Sequence, residues 1–206
     1  MGARGNSGVI LSQLLRGLAE ALADEETADA QCLQRALIRA AELGYAAVAQ
    51  PVEGTILTVA REAAASAAEL GPADLVAVVK AAAAGATAAL ARTTEQLPAL
   101  KAAGVVDAGG RGLCVLLDAL EQVVTGATKA AAAVLLVPRD RSGLATARES
   151  GSDEFGYEVQ YLLRDAGDAD VEVLKATLSD LGDSLVVVGG DGLHNVHIHV
   201  NDVGAA

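Results

Sequence analysis

Gly2-Ala3-Arg4-Gly5-Asn6-Ser7-Gly8 stands near the start of the chain and runs directly into an apolar helical pattern. Two further glycine-containing turns, Pro51–Thr55 and Asp107–Gly112, each precede another such pattern. A helix N-terminus exposes unpaired N–H groups and a partial positive charge, and glycine lets a phosphate approach that backbone closely. The three turns together therefore predict a nucleotide-phosphate site, provided that they meet in space.

The first two-thirds of the chain are rich in alanine and leucine and predict a set of helices. The first helix is expected at about 8–23, with Asn6 or Ser7 as its cap, and the second from a cap at Thr27 to about 49. The third is expected at about 55–69, the fourth from 72 or 73 to about 92, and the last at about 110–124. A less regular connector is expected over 93–106. Short connections make neighbouring helices antiparallel, so the three glycine-rich turns are expected to begin parallel helices at one end of a bundle. This expectation fails if the connector contains a helix long enough to cross the bundle.

The residues after Thr128 change in character and predict a small α+β unit. A helical pattern fits 170–181, and Gly189–Gly192 is expected to join the last two strands as a hairpin turn. The expected strands are 132–137, 155–162, 184–188 and 195–200, with a polar linker over about 138–153. The predicted fold class is therefore mainly α: an antiparallel helical barrel or bundle over 1–128, followed by a partial α+β domain over 129–206.

Composition limits the classes of function. The formal net charge of -12 argues against a nucleic-acid partner, because phosphate backbones need a basic surface. The longest unbroken apolar stretch, 130–137, is too short to cross a bilayer, and no signal-peptide pattern opens the sequence. We therefore expect no transmembrane segment and a cytoplasmic location. Cys32 and Cys114 lie far apart in apolar helical patterns, as expected of buried free thiols in a reducing compartment.

Several residues in the three turns have chemistry suited to phosphate, and each also has a structural explanation. In the first turn Ser7 supplies a hydroxyl and Arg4 a cation, although the stretch also suits an ordinary glycine-rich helix start. Thr55 either donates to a phosphate or caps a helix. Arg111 either neutralises a phosphate or lies in solvent. The sequence leaves these alternatives open.

Two histidines in the last strand form a separate candidate site. His197 and His199 are two positions apart, so on a strand they share one face, and imidazoles at this spacing bind zinc with a third ligand. His194 and Asp202 lie near enough in the sequence to assist. The alternative is that the two histidines pack or hydrogen-bond on the sheet surface.

Three stretches of the helical part resemble the nucleotide-binding domain of the bacterial fatty-acid kinase, which is similar to the L subunit of dihydroxyacetone kinase. They are Gly2–Gln13, Pro51–Val59 and Val106–Leu113. The tail, at 182–188 and 196–202, resembles the middle domain of the same kinase. The resemblance covers nearly the whole chain, and its motifs are long and ordered.

The resemblance implies a barrel of antiparallel helices with ATP or ADP and magnesium at one end. It implies phosphoryl transfer to a fatty acid carried by a separate fatty-acid-binding partner protein, within phospholipid metabolism. The stretch from Arg4 to Gly8 then holds phosphate, Thr55 lies at the phosphate end, and 107–110 line the nucleotide pocket. The residues implied as cofactor-binding are Gly2, Ala3, Arg4, Gly5, Asn6, Ser7, Gly8, Thr55, Asp107, Gly109, Gly110 and Arg111.

The resemblance also bears on the histidine site. In the resembling middle domain a cysteine often stands in the first strand of the unit, and Glu158 occupies that position here. The implied metal-binding set is therefore Glu158, His197 and His199, in which a carboxylate replaces a softer thiolate.

The sequence departs from the family at its start. The family places magnesium-binding aspartates upstream of the first turn, whereas this sequence begins inside the conserved region. Phosphoryl transfer depends on metal and charge stabilisation, and Glu53 and Asp107, the only acids within the three turns, are not obvious substitutes. We expect a fragment of a longer kinase, incomplete at both ends and inactive by itself. The alternative is a non-catalytic nucleotide- or phosphate-binding scaffold for a lipid-carrying partner, with homodimer formation left open.

Overall fold

The structure is a computed structural model that describes residues 5–127, 154–190 and 192–206. Within those ranges the chain forms seven helices and one three-stranded sheet, which confirms the predicted fold class. The contacts divide the chain into two compact units, Met1–Ala127 and Thr128–Ala206. The predicted strand at 132–137 and the predicted linker at 138–153 lie outside the described residues.

The first unit is a bundle in which four helices begin at a side-chain cap. Asp29 accepts from the N–H of Cys32 at 2.7 Å, and Asp74 accepts from the N–H of Ala77 at 2.7 Å. Such caps satisfy N–H groups that the first helical turn leaves unpaired. The helices are α1 (Gly5–Leu22), α2 (Ala30–Ala46), α3 (Ile56–Ala68), α4 (Leu75–Gln96), α5 (Pro98–Ala103) and α6 (Ala108–Thr125).

The predicted caps of the first two helices were wrong. Helix α1 already includes Gly5, so Asn6 and Ser7 lie within its first turn. Helix α2 begins after Asp29 and not after Thr27, because the Asp29 carboxylate reaches the N–H of the third helical residue.

The connector predicted over 93–106 is more regular than expected. Helix α4 continues to Gln96, and Pro98 then starts the short α5, as the fixed φ of proline favours. The six residues of α5 span only about 9 Å. This helix is too short to cross the bundle, so the alternation of helix directions is preserved.

Contacts between successive helices show that they are antiparallel. The thiol of Cys32, near the start of α2, lies 3.8 Å from the carbonyl oxygen of Ala21, near the end of α1. The side-chain amide of Gln34, also near the start of α2, donates to the carbonyl of Ala67 near the end of α3 at 2.8 Å. The starts of α1 and α3 therefore lie at the same end of the bundle.

Small residues let the helices approach closely. A Cβ at Gly17 would lie 2.5 Å from the Cα of Ala40, so glycine is required where α1 crosses α2. The remaining core combines buried alanines with larger aliphatic side chains, and each of the larger ones stabilises the fold by about 1.5–3 kcal/mol relative to exposure. Its largest members include Leu14, Leu37, Leu57, Val59, Val78, Val79, Leu90 and Leu117.

Helix α4 is the longest helix of the bundle and contains a long apolar stretch. By length and composition alone it is long and apolar enough to cross a membrane, and it is the one such helix within the described ranges. Its buried positions, among them Val78, Ala82 and Ala86, belong to the core of the bundle. A core helix passes the same test of length and composition.

The second unit is an antiparallel sheet with one helix against it. The elements are β1 (Tyr157–Arg164), α7 (Asp168–Ser179), β2 (Gly182–Gly190) and β3 (Leu193–Val200), with β3 central in the order β1-β3-β2. Both pairs of neighbouring strands are antiparallel. Buried side chains from α7, β2 and β3 form its core: Val171, Leu178, Leu185, Val187, Val196, Ile198 and Val200.

Strand β2 contains an irregularity that the sequence did not indicate. The pairing with β3 shifts between Asp183 and Val186, and Ser184 between them has a φ of 55°. This left-handed conformation is unfavourable for a residue with a Cβ, and bulges of this kind redirect the neighbouring side chains. Asp183 is thereby paired with His199 in the register of the sheet.

Candidate functional site

The second and third glycine-rich turns meet at Asp107. Its Oδ2 accepts from the N–H of Gly110 at 2.6 Å, which caps α6. The backbone N–H of Ile56, the first residue of α3, lies close enough to this carboxylate to favour its charged form. Burial raises the pKa of Asp107, and the two backbone N–H groups act in the opposite direction. One carboxylate therefore joins the N-termini of two parallel helices.

Helix α4 supports this junction through the hydroxyl of Thr93. The N–H of Asp107 donates to the hydroxyl of Thr93 at 3.1 Å, and this hydroxyl donates to the carbonyl of Leu90 at 2.7 Å. Thr93 is fully buried. Buried polar groups are stable when they are paired in this way. The sequence had given Thr93 no role, because a threonine at the end of a helical pattern carries no distinctive signal.

Thr55 acts as the N-cap of α3. Its hydroxyl donates to the carbonyl of Val52 at 2.8 Å and accepts from the N–H of Leu57 at 3.4 Å. Of the two alternatives left open by the sequence, the structure shows the capping one. A contact between Thr55 and phosphate remains a prediction.

The glycines of the third turn have different surroundings. A Cβ at Gly110 would lie 2.8 Å from Cγ2 of Val59, and one at Gly109 would lie 3.3 Å from Cβ of Ile56. These two glycines therefore let α6 pack closely against α3. Gly112 is exposed, and a Cβ there would contact nothing within 4 Å. Arg111 is partly exposed beside it, and a role in phosphate binding stays a prediction.

Part of the first turn lies outside the described residues, namely Gly2, Ala3 and Arg4. Gly5 to Gly8 form the first turn of α1, at the same end of the bundle as Thr55 and Asp107. The Oδ1 atom of Asn6 is buried and has no hydrogen-bond partner among the residues that the structure describes. An unpaired buried acceptor is unfavourable by about 1–3 kcal/mol, so a donor brought by a ligand would stabilise it.

The acidic residue of the second turn is fully engaged. Glu53 receives two hydrogen bonds from Arg61, at 2.6 Å on Oε1 and 2.9 Å on Oε2. The hydroxyls of Thr58 and Tyr45 donate to it at 2.6 and 3.1 Å. These donors, Arg61 first and Thr58 second, lower the pKa of Glu53 to about 2. Sequence reasoning missed this network, although Thr58 and Arg61 lie three apart on one face of α3.

The carboxylates of the second and third turns therefore do not suit magnesium. Glu53 is neutralised by a guanidinium, and Asp107 caps α6. Magnesium is usually held by one or two carboxylates together with waters and substrate phosphates. A magnesium ion would have to compete with the Arg61 guanidinium for Glu53 and to share Asp107 with the cap of α6.

The histidine face of the second unit is buried. His197 and His199 lie on the same face of β3, with 2% and 3% of their surfaces exposed and ring centroids 5.0 Å apart. Glu158 Oε1 approaches His197 Nδ1 to 3.3 Å. Both nitrogens of His197 and Nδ1 of His199 lack a hydrogen-bond partner among the described residues. Burial lowers the pKa of His197, so the imidazole is neutral over most of the neutral pH range.

Sequence reasoning missed Asp183, whose Oδ1 approaches His199 Nδ1 to 3.4 Å. The bulge at Ser184 places it there, and no pattern in the sequence marks a bulge at a serine. The side chains named so far do not form a ready-made metal site. Within the described part of the chain, no group of three or more histidine, cysteine, aspartate or glutamate residues is arranged to hold an ion.

Comparison with known families defines the class of protein. The model of the DAK2 domain matches residues 1–122, and the model of the FakA-like middle domain of fatty acid kinase matches residues 154–206. A helical domain with its parallel N-termini at one end, followed by a small α+β unit, agrees with this pair of domains. The chain belongs to the family of DAK2 proteins with a FakA-like middle domain.

Curated relatives agree with this assignment. Protein YloV of Bacillus subtilis is 39% identical over 215 residues, covering 99% of this chain and 39% of the relative. An uncharacterized protein of Staphylococcus haemolyticus is 36% identical over 216 residues, covering 99% of this chain and 39% of the relative. One of Staphylococcus saprophyticus is 33% identical, with the same two coverages. The chain spans about two-fifths of the length of these relatives.

Proposed function

We propose that the helical unit is the nucleotide-binding part of an ATP-dependent kinase that phosphorylates a fatty acid. The acyl substrate would be presented by a separate fatty-acid-binding protein. The observation that carries the proposal is the junction at Asp107, which brings the N-termini of α3 and α6 together. Family membership gives the class of reaction.

The geometry supports a nucleotide phosphate at this end. The parallel N-termini of α3 and α6 direct their partial positive charges to the same region. The exposed Gly112 leaves the side of α6 open to a close approach, and Arg111 adds a positive charge. In this proposal Arg4 to Gly8 provide the third group of phosphate donors. The unpaired Oδ1 of Asn6 accepts a hydrogen bond from a ribose hydroxyl or the adenine amino group, because the phosphates carry no donor.

Bound ATP would supply the phosphoryl group, and the residues of this chain would bind and orient it. The engaged state of Glu53 and Asp107 means that we assign no magnesium ligand within the second and third turns. We propose that this chain by itself binds nucleotide without turning it over. We also propose a cytoplasmic location, which the two buried free thiols of Cys32 and Cys114 fit.

The test is calorimetric titration of the chain with ATP, with and without magnesium. Arg111→Ala should weaken binding several-fold, because it removes a positive charge beside the phosphate. Arg35→Ala is the matched control. It removes the same charge from an exposed ion pair with Glu25 near the start of α2, at the opposite end of the bundle. Equal effects of the two substitutions, or no binding by the wild type, would contradict the proposal.

A second proposal concerns the histidine face. The buried ring nitrogens of His197 and the Nδ1 of His199, which have no hydrogen bond, favour a zinc ion held by these residues and Glu158. The three side chains would have to change conformation to form the site. Elemental analysis of the purified chain should then find about one zinc per chain, and His199→Ala should abolish it. A wild-type chain without zinc or another transition metal would refute this assignment.

The alternative to a kinase is a scaffold that binds nucleotide or phosphate for a lipid-carrying partner. It predicts the same binding end but no turnover in any length of the protein. Detectable ATP-dependent phosphorylation of a fatty acid by the longer protein would exclude the scaffold.

A further inference from the structure

The backbone of the second turn is tied to the Glu53 network through one buried hydroxyl. The N–H of Gly54 donates to Oγ1 of Thr58 at 2.9 Å, and the same hydroxyl donates to Glu53 at 2.6 Å. Thr58 is 1% exposed, so water does not replace it as a partner. The position of the Gly54 amide therefore depends on a chain of hydrogen bonds that ends at Arg61.

The turn itself has little freedom to adjust. Gly54 has a φ of 83°, in the left-handed region that glycine tolerates. A Cβ at this position would lie 3.0 Å from Cβ of Gln96 and 3.2 Å from Cβ of Leu97. The turn is thus pressed against the end of α4 on one side and held by Thr58 on the other. It leads directly to Ile56, whose N–H meets Asp107.

We propose that Glu53, Thr58 and Arg61 are positioning residues that hold the turn at Gly54–Ile56 in the shape that receives a nucleotide phosphate. The inference rests on the proposed nucleotide function and adds to it residues that do not touch the ligand. A ligand that binds only one shape of a turn loses apparent affinity in proportion to the fraction of molecules in that shape. Loosening the network therefore lowers affinity without removing any contact to the nucleotide.

A purely structural role predicts a different result. The Glu53–Arg61 pair is half exposed, with 48% and 45% of the side chains accessible, and exposed ion pairs contribute little to stability. If the ion pair were only a surface contact, its loss would leave both the free energy of unfolding and the nucleotide affinity nearly unchanged. If the pair positions the turn, its loss should reduce the free energy of nucleotide binding by more than the free energy of unfolding.

The experiment compares two matched pairs of variants of the full chain in calorimetric titrations with ATP. Thr58→Val removes the hydroxyl but keeps the shape of the side chain, whereas Thr58→Ser keeps the hydroxyl. Arg61→Ala removes the guanidinium from the network, whereas Arg39→Ala removes one from an equally exposed pair with Glu20 that bridges α1 and α2. Thr58→Val and Arg61→Ala should each raise the Kd about tenfold, as when a tenth of the molecules keep the competent turn.

Thr58→Ser and Arg39→Ala should stay within about twofold of the wild type. Urea unfolding of each variant shows whether it is folded. If Thr58→Val is not folded, Arg61→Ala tests the proposal. Wild-type affinity in a folded Thr58→Val or in Arg61→Ala overturns the positioning role alone. A wild-type chain that binds no ATP overturns the proposed function and this inference together.

Discussion

Replacing Asp107 with alanine should destabilise the helical unit by more than the loss of an ordinary helix cap. Its carboxylate accepts from the N–H of Gly110 on α6 at 2.6 Å and also interacts with the N–H of Ile56 on α3. An alanine in place of an N-cap costs about 1 kcal/mol, and a hydrogen bond to a charged group contributes about 1.5–3 kcal/mol. Burial of the carboxylate, which raises its pKa, offsets part of this sum. We expect Asp107→Ala to lower the free energy of unfolding by about 2 kcal/mol.

The matched control is Asp74→Ala, because Asp74 caps α4 through a single N–H, that of Ala77. It should lower the free energy of unfolding by about 1 kcal/mol. Asp107→Asn, which keeps an acceptor oxygen, should fall between the wild type and Asp107→Ala. Urea unfolding followed by far-UV circular dichroism measures all three. If Asp107→Ala is no more destabilising than Asp74→Ala, the carboxylate does not join the two helices.

Four further predictions concern packing, helix propensity, backbone strain and pH. Gly17→Ala should destabilise the helical unit by about 2 kcal/mol, because its Cβ would lie 2.5 Å from the backbone of α2. Gly112→Ala, at an open helical position, should stabilise it by up to about 1 kcal/mol, and thermal melts of the two variants give the comparison. Ser184→Gly should stabilise the second unit by about 1 kcal/mol in urea unfolding, since the φ of 55° suits glycine, and a destabilised variant would argue against strain there. Because burial lowers the pKa of His197 from 6.5, its unfolded form takes up the proton first, so the free energy of unfolding should fall as the pH drops below 6.5. In His197→Gln the free energy of unfolding should depend less on pH, and an equal dependence would assign the effect to other groups.

The architecture of the helical unit could be predicted from the sequence because its signals are local. Apolar periodicity, proline at 51 and short connections predict five of the six helices and the alternation of their directions. Cap positions are less predictable, since Thr27 and Asp29 both suit a cap and only the distance to a first-turn N–H decides between them. Helix α5 was not predicted for a different reason, because Pro98 starts it within a stretch that lacks strong periodicity.

The candidate site was predictable only as a region. The sequence predicted that Thr55 and Asp107 lie at one end of the bundle, but it could not show that Asp107 also interacts with the start of α3. That interaction joins residues about fifty positions apart, and no local pattern carries it. The Glu53–Arg61 network and the approach of Asp183 to His199 are likewise tertiary contacts. The two histidines were predictable as neighbours because alternation along a strand fixes their common face.

The most direct test of the nucleotide proposal is amide hydrogen exchange of the chain with and without saturating ATP, analysed by peptide. ATP should slow exchange at the starts of α3 and α6, around Thr55 and Asp107, and leave the starts of α2 and α4 at the opposite end unchanged. Protection only at the opposite end, or no protection at either end, would contradict the assignment of the nucleotide to the junction at Asp107.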